Sequence, residues 1–219
     1  MRITSLDFGS LLCYTPRGSS PEIDGAREVM KIIKADDFVN TPPILMSEWL
    51  ARTVHQHIGS LRFASFFQKD TVLVPVPSSS LMQPNSLWVP NRIANALVKE
   101  GIGKEVAAWL VRKTPVRKAA WSKPADRPKP KEHIATISVQ GRISEPPPDQ
   151  IVLVDDIITR GSTLLGAANS LAEALPKAKI RAFVAMMTIS DPSHFVTLYR
   201  PSLGSVQYRP LTEDTIRRP

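Results

Sequence analysis

Two short apolar runs dominate the hydrophobic pattern of the chain. They cover residues 151–154 and 180–189, and in both of them consecutive rather than alternate positions are apolar. Such runs are typical of strands buried on both faces, as in parallel sheets. Between them, residues 164–175 place apolar side chains at helical spacing. The order strand, helix, strand predicts a right-handed βαβ unit over residues 151–189.

The remaining pattern extends this arrangement. Apolar residues recur at helical intervals in three segments, 23–34, 44–58 and 91–100, and a short apolar run at 71–74 predicts a further buried strand. Residues 132–139 alternate in polarity and indicate a strand or hairpin arm, whereas 104–112 fits a helix or a strand equally well. The tail after Pro192 is irregular, with edge pieces at 198–200 and 206–209. We therefore predict an α/β fold with a mostly parallel sheet flanked by helices.

Polar residues suited to chemistry follow the strand at 151–154. Asp155 and Asp156 come first, and the turn Thr159-Arg160-Gly161-Ser162-Thr163 then leads into the predicted helix. The N–H groups and dipole of a helix N-terminus favour a phosphate. Two carboxylates would repel that phosphate, so they are better placed to bind neutral hydroxyls or a divalent cation beside it. Together these groups predict a site for a ribose 5-phosphate. An ordinary strand with a polar turn, or an acidic cluster of another enzyme class, is the alternative.

This stretch resembles the signature of the type I phosphoribosyltransferases, and within them the branch related to the competence protein ComF. The resemblance implies that Asp155 and Asp156 are catalytic and bind the ribose hydroxyls of phosphoribosyl pyrophosphate. It implies that Thr159, Arg160, Gly161, Ser162 and Thr163 bind the 5′-phosphate. Mg²⁺ is the expected cofactor; it arrives with the substrate, and Asp155 and Asp156 are its candidate protein contacts. The implied division of the chain is a flanking hood segment over 1–65 and a phosphoribosyltransferase-like domain over 66–219.

Two positions depart from the family pattern. Residue 160 is usually a small hydroxyl residue, and here it is Arg160. Purine-specific members often have an acid where Thr159 stands, and its absence weakens a purine-salvage interpretation. The acceptor, a nucleobase or an amine with a nitrogen nucleophile, stays open.

A second polar loop follows the predicted strand at 71–74. Pro75 and Pro77 end that strand, because proline cannot donate to a central ladder, and Ser78, Ser79 and Ser80 come next. A plain surface loop is one interpretation. The ComF resemblance implies instead that Pro77, Ser78 and Ser79 lie near the pyrophosphate of the substrate.

Positive charge is concentrated in residues 112–131. This segment has eight basic residues and one acid, whereas the whole chain has a net charge of +8. Its prolines argue against a packed helix or a central strand, so we predict a long mobile loop. In the family, such a loop closes over the substrate. The resemblance therefore implies that four basic residues of this loop contact the pyrophosphate: Arg117, Lys118, Arg127 and Lys129. A nucleic-acid contact, with Trp121 stacking on a base, and a solvated loop are the alternatives.

Composition sets outer limits. The 219 residues suffice for one substantial core, and no apolar run approaches the ~18 residues of a membrane span. The N-terminus lacks a secretory pattern, so we expect a cytoplasmic protein without a membrane partner. Cys13 is the single cysteine, which excludes an intrachain disulfide, and we expect it to be buried.

Two alternatives to a transferase remain open. One is a non-catalytic sensor of phosphoribosyl pyrophosphate or nucleotides, and the other is a nucleic-acid-handling protein. A homodimer is compatible with the sequence.

Overall fold

The computed structural model describes residues 1–83, 85–117, 127–143 and 145–218. Five α-helices lie in this part of the chain: α1 Pro21–Ala35, α2 Met46–His57, α3 Val89–Lys99, α4 Pro130–Thr136 and α5 Ser162–Ala174. The strands are β1 Ser5–Tyr14, β2 Phe38–Val39, β3 Ile44–Leu45, β4 Val72–Pro75, β5 Glu105–Val106, β6 Leu110–Arg112, β7 Ile137–Val139, β8 Gln150–Ile158, β9 Lys179–Thr188, β10 Tyr199–Arg209 and β11 Asp214–Arg218.

Seven of these strands form the central sheet, in the order β11-β10-β1-β9-β8-β4-β5. The neighbouring pairs β1-β9, β9-β8, β8-β4 and β4-β5 are parallel. Strands β10 and β11 form an antiparallel hairpin, which pairs with the other side of β1. The predicted α/β fold with a mostly parallel sheet flanked by helices is therefore confirmed. Two small antiparallel pairs, β2-β3 and β6-β7, lie outside this sheet.

Both faces of the sheet are covered, which explains the continuous apolar runs. Ile151 and Leu153 of β8 belong to one apolar cluster, which they share with α5 and the β6-β7 pair. Val152 and Val154 belong to the other cluster, with residues from α1, α2 and α3. Because successive side chains of a strand point to opposite faces, a strand between two helical layers needs apolar residues at every position.

Several local predictions are confirmed. The helices at α1, α2, α3 and α5 and the strands β4 and β9 fall where the pattern placed them. Strand β8 begins as predicted but does not end at residue 154: it continues to Ile158, so Asp155 and Asp156 lie within the strand rather than after it. Segment 104–112, which fitted either state, contains the strands β5 and β6. Cys13 is fully buried, as expected.

The prediction of a strand over residues 132–139 is wrong in its first half. Residues 130–136 form α4, and only Ile137–Val139 is a strand. Pro130 occupies the first turn of α4, where its missing N–H is harmless, and Glu132 Oε1 accepts a hydrogen bond from Lys129 N at 3.0 Å. These start signals outweigh the alternating polarity.

Strand β1 lies inside the sheet although it belongs to the segment 1–65. It pairs in parallel with β9 and antiparallel with β10. Residues 5–14 thus share one sheet with the rest of the chain, and the division at residue 65 stays a prediction.

The ends of the predicted basic loop have regular secondary structure, since Arg112 ends β6 and Pro130 begins α4. In the described ranges, no helix is both long and apolar enough to cross a membrane.

Candidate functional site

The turn between β8 and α5 lies at the carboxyl edge of the parallel strands. Gly161 is the N-cap residue of α5 and has a φ of +87°, a conformation that favours glycine. Among the described residues, no side chain caps this helix. The first N–H groups of a helix have no partner within it, so the start of α5 offers donors and a positive dipole end to an anion.

Asp155 shares a small cleft with this turn. The cleft is lined by Asp155, the whole run from Ile157 to Leu164, and Arg127, Pro128 and His133 from the other side. A carboxylate, a helix N-terminus and a guanidinium thus surround one space. This combination suits a ligand with both hydroxyl and phosphate groups.

The two acids of β8 differ in their partners. Asp156 Oδ2 forms an ion pair with Lys34 Nζ of α1 at 2.6 Å. Burial and the neighbouring charge of Asp156 raise the pKa of Asp155 well above its usual value, although Lys34 acts in the opposite direction. Burial by itself would lower the pKa of Lys34, but the attraction of Asp156 and Asp155 outweighs burial and raises it. A cation is therefore already part of the acidic end of the site.

The β10-β11 hairpin packs against the β8-α5 turn, residues 159–163. The Arg160 guanidinium forms an ion pair with Asp214 of β11, and Ser162 Oγ lies 2.9 Å from Thr215 Oγ1. A Cβ on Gly161 would stand 2.5 Å from Val206 Cγ2. The hairpin thus fixes the turn from behind, and Arg160 is oriented by an acid.

The loop after β4 lies beside this site because β4 and β8 are adjacent parallel strands. Pro77 is buried, Ser78 is exposed and Ser79 is partly exposed. Ser79 O accepts a hydrogen bond from Val116 N at 2.9 Å, and Ser78 O accepts one from Arg112 Nε at 2.9 Å. The segment after β6 is therefore hydrogen-bonded to the loop after β4, residues 76–80, called the serine loop below.

A buried polar connection joins the serine loop to the β8-α5 turn. Arg112 Nη1 and Nη2 each lie 3.4 Å from His133 Nδ1, and His133 Nε2 lies 3.4 Å from Thr163 Oγ1. Arg112 Nη1 also donates to Thr136 Oγ1 at 2.7 Å. Burial lowers the pKa of Arg112 to about 10, and burial together with Arg112 lowers the pKa of His133 to about 3. At neutral pH Arg112 is a cation and His133 is neutral.

The structure brings most of the predicted site residues together. Asp155, Thr159, Arg160, Gly161, Ser162, Thr163 and Arg127 line the same cleft. Asp156 follows Asp155 but bonds to Lys34, and Lys129 lies at the start of α4. Arg117 is exposed beyond β6. Lys118, together with Trp121, falls outside the described residues.

Sequence reasoning missed four residues of the site: Lys34, His133, Asp214 and Thr215. Each contacts the site from an element distant in the sequence, as with Lys34 and Asp156, which are 122 positions apart. The local sequence gives one sign of His133, its position after the helix-start residues Pro130 and Glu132 and before an apolar stretch. No group of three acids, histidines or cysteines in the described ranges is arranged to hold a metal ion.

The described residues thus define an α/β protein with a polar cleft at the carboxyl ends of its parallel strands. A segment of 44 residues is 50% identical to the orotate phosphoribosyltransferase of Lactobacillus johnsonii. That segment is 20% of this chain and 20% of the relative, so the match spans about a fifth of the curated relative.

Two other comparisons complete the picture. The crystal structure of a hypoxanthine phosphoribosyltransferase from Staphylococcus aureus aligns with 73% of this chain and 82% of its own, with a TM-score of 0.32 and 12% identity. Similarity at that level does not by itself establish a common fold. No family model matches the chain.

Proposed function

We propose that this protein binds phosphoribosyl pyrophosphate with Mg²⁺ and transfers the 5-phosphoribosyl group to a nitrogen acceptor. The observation that supports this best is the shared cleft, in which Asp155 faces the uncapped start of α5. The 44-residue similarity to an orotate phosphoribosyltransferase agrees with it. The ComF-like branch and a cytoplasmic location belong to the same proposal.

The 5′-phosphate binds at the turn from Thr159 to Thr163. The N–H groups at the start of α5 donate to its oxygens, and the hydroxyls of Thr159 and Thr163 are available beside them. Arg127 lines the cleft and adds positive charge. Ser162 contributes mainly through its backbone, because its hydroxyl is bonded to Thr215.

The ribose binds through Asp155 and Asp156. Ionised carboxylates accept hydrogen bonds from the 2′- and 3′-hydroxyls. The same carboxylates suit Mg²⁺, which typically takes one or two protein carboxylates together with substrate phosphates rather than a complete protein cage. When bound, the ion would neutralise charge on the pyrophosphate. Asp155 and Asp156 are the residues that would hold it.

The pyrophosphate lies towards the loop after β4. Pro77, Ser78 and Ser79 follow the strand next to β8, and Arg117, Lys118 and Lys129 supply positive charge from the segment beyond β6. The C1′–O bond to pyrophosphate breaks, a bond from C1′ to the acceptor nitrogen forms, and a neutral acceptor releases its N–H proton to solvent or to the departing pyrophosphate. Negative charge grows on the departing group, where fixed cations stabilise it. Catalysis then relies on positioning and electrostatics more than on a strong base.

A sensor that binds the same ligand without turnover is the second candidate. Two charged residues of the site, Asp156 and Arg160, are paired with Lys34 and Asp214 in the protein itself. A site whose charges are already compensated is compatible with binding alone. Release of pyrophosphate in the presence of nucleobases or amines separates the enzyme from the sensor.

Calorimetric titration with Mg²⁺-phosphoribosyl pyrophosphate tests the proposal. The wild type is expected to bind, and the variant with Asp155→Asn and Asp156→Asn is expected to lose binding while it keeps a folded circular-dichroism spectrum. The matched control replaces Asp7 and Asp70, which are exposed acids, by Asn, so the net charge changes equally. Equal binding by both double variants would contradict the assignment of the acids.

A further inference from the structure

The polar connection between Arg112, His133 and Thr163 has a defined direction. A guanidinium has only N–H donors, so the His133 Nδ1 atom that faces both Arg112 Nη atoms must be the acceptor. Since burial keeps His133 neutral, its ring has a single proton, and that proton is then on Nε2. Nε2–H is the donor to Thr163 Oγ1.

This direction decides what the Thr163 hydroxyl does. A hydroxyl has one proton and two lone pairs. One lone pair of Thr163 Oγ1 receives the His133 proton, which leaves the hydroxyl proton to be donated elsewhere. Thr163 is in the first turn of α5 and lines the cleft with His133. Its proton is therefore available to an anion in that cleft.

Packing holds the ring in place. His133 is 4% exposed, and a Cβ on Gly166 of α5 would overlap the His133 Cβ, so glycine permits the close approach of α4 to α5. Arg112 is 3% exposed and is bonded to Ser78 O and Thr136 Oγ1 as well as to the ring. In the described part of the chain, no carboxylate pairs with Arg112; its partners are neutral. These contacts fix the guanidinium against the ring.

We propose that His133 is a positioning residue, fixed by Arg112, that orients the Thr163 hydroxyl as a donor to the phosphate of the ligand. The inference rests on the proposed phosphate site and adds a residue and a proton direction to it. Through Ser78 O, the same connection ties the geometry of the serine loop to that of the phosphate-binding turn.

A double-mutant cycle with ribose 5-phosphate as the probe tests this role. The variants are His133→Leu, Thr163→Val and the two combined, and affinity is measured by calorimetry. We expect His133→Leu to weaken binding roughly tenfold or more in the wild-type background, the range of a lost hydrogen bond to a charged group. In the Thr163→Val background it should have little further effect. Equal losses in both backgrounds would show a general structural role and overturn the inference.

His133→Gln is the conservative variant. Its side-chain amide offers an oxygen towards Arg112 and an N–H towards Thr163, so it should restore much of the affinity that His133→Leu loses. Failure of Gln to do better than Leu, with both proteins folded, counts against a hydrogen-bonding role.

Nitrogen-15 NMR of the imidazole rings tests the tautomer without any ligand. The His133 signals, identified by their absence in His133→Gln, should show a protonated Nε2 and an unprotonated Nδ1 that do not change between about pH 5 and pH 8. A protonated Nδ1 would overturn the inference and leave the proposed function untouched. Absence of any ribose 5-phosphate or phosphoribosyl pyrophosphate binding by the wild type would overturn both.

Discussion

Lys34 Nζ lies 2.6 Å from Asp156 Oδ2 and thereby joins helix α1 to the acidic end of β8. The lysine side chain is 52% exposed and the carboxylate 14% exposed, so the pair lies at the mouth of the site rather than in the core. Lys34 also lowers the pKa of Asp155, against the larger effects of burial and Asp156. One cation from a flanking helix therefore influences both acids.

Replacing Lys34 by Met is expected to raise the pKa of Asp155 further, because the opposing cation is removed. If ligand binding needs ionised Asp155, the pH at which Mg²⁺-phosphoribosyl pyrophosphate binds half-maximally should move upward. Calorimetric titrations across a pH series measure this. The control is Lys31→Met on the same helix, where an exposed pair with Glu28 is lost. A Lys34→Met profile identical to that of the control would show that Lys34 does not act on Asp155.

Asp155 is expected to reduce the stability of the fold at neutral pH. Its pKa in the folded protein is raised above the unfolded value near 3.8, so the folded state holds the proton more tightly. The favourable contribution of protonated Asp155 is complete below the unfolded pKa and is lost as pH rises through the raised folded pKa. Asp155→Asn removes this loss. It should therefore raise Tm at neutral pH, by roughly 2–4 °C per kcal/mol gained in a chain of this size, and have little effect in acid.

Urea denaturation of Asp155→Asn and wild type over a pH series checks the sign. Asp191→Asn is the control of opposite sign, because hydrogen bonds from Ser193 lower the pKa of Asp191. That contribution is present above the unfolded pKa and is lost as pH falls through the lowered folded pKa. A stability difference for Asp155→Asn that shrinks with rising pH would contradict the raised pKa.

Gly161→Ala is expected to destabilise the fold and to weaken binding at the proposed phosphate site. A left-handed backbone costs a non-glycine residue about 1–2 kcal/mol, and the new Cβ would overlap Val206 Cγ2. Denaturation midpoints and ribose 5-phosphate binding measure the two effects. A second substitution, Val206→Ala, should remove the overlap but not the backbone strain, so recovery should be partial.

Gly25→Ala is the control for that experiment. Gly25 lies within α1, and a Cβ there meets nothing within 4 Å. Alanine is the better helix former by up to about 1 kcal/mol, so this variant should be more stable than wild type. Equal stability of Gly161→Ala and wild type would mean that the turn adapts to a side chain.

The Arg160–Asp214 pair is expected to stabilise the contact between the turn and β11. Its side chains are 29% and 21% exposed, so removal of one partner leaves a partly buried charge. A cycle of Arg160→Met, Asp214→Asn and the double variant should give a coupling free energy of roughly 0.5–3 kcal/mol in urea denaturation. The neighbouring pair Lys131–Glu213 is more exposed, at 62% and 48%, and should give a coupling near zero. Equal couplings would show that the first pair is not special.

The parallel sheet and the acidic turn were predictable from local pattern. Burial on both faces requires apolar residues in succession, which β8 and β9 show in the printed sequence. The β8-α5 turn is also local, since its glycine and the start of α5 are contiguous with β8. Both signals lie within a few residues of the groups they describe.

The partners of the turn were not predictable in this way. Asp214 reaches Arg160 from 54 positions away, and His133 stands in a helix whose alternating polarity resembled a strand. His133 is polar yet belongs to the buried face of α4, together with Pro130. A prediction from polarity alone treats such a polar residue as exposed, and it therefore assigns the two-residue period of a strand instead of the period of a helix. The tertiary contact with Arg112 and Thr163, not the local sequence, accounts for its burial.

The position of β1 has a consequence for folding. This strand lies between β9 and β10, and its residues pair with residues 182–188 and 199–207. The chain between these segments must form a long closed loop before strand pairing can stabilise it, and loop closure costs conformational entropy. Contacts of such large sequence separation are associated with slow folding. During synthesis, β1 has no sheet neighbour until β9 has been made. The β8-α5 turn, which packs against Val206 and Asp214, is then among the last parts of the molecule to take shape.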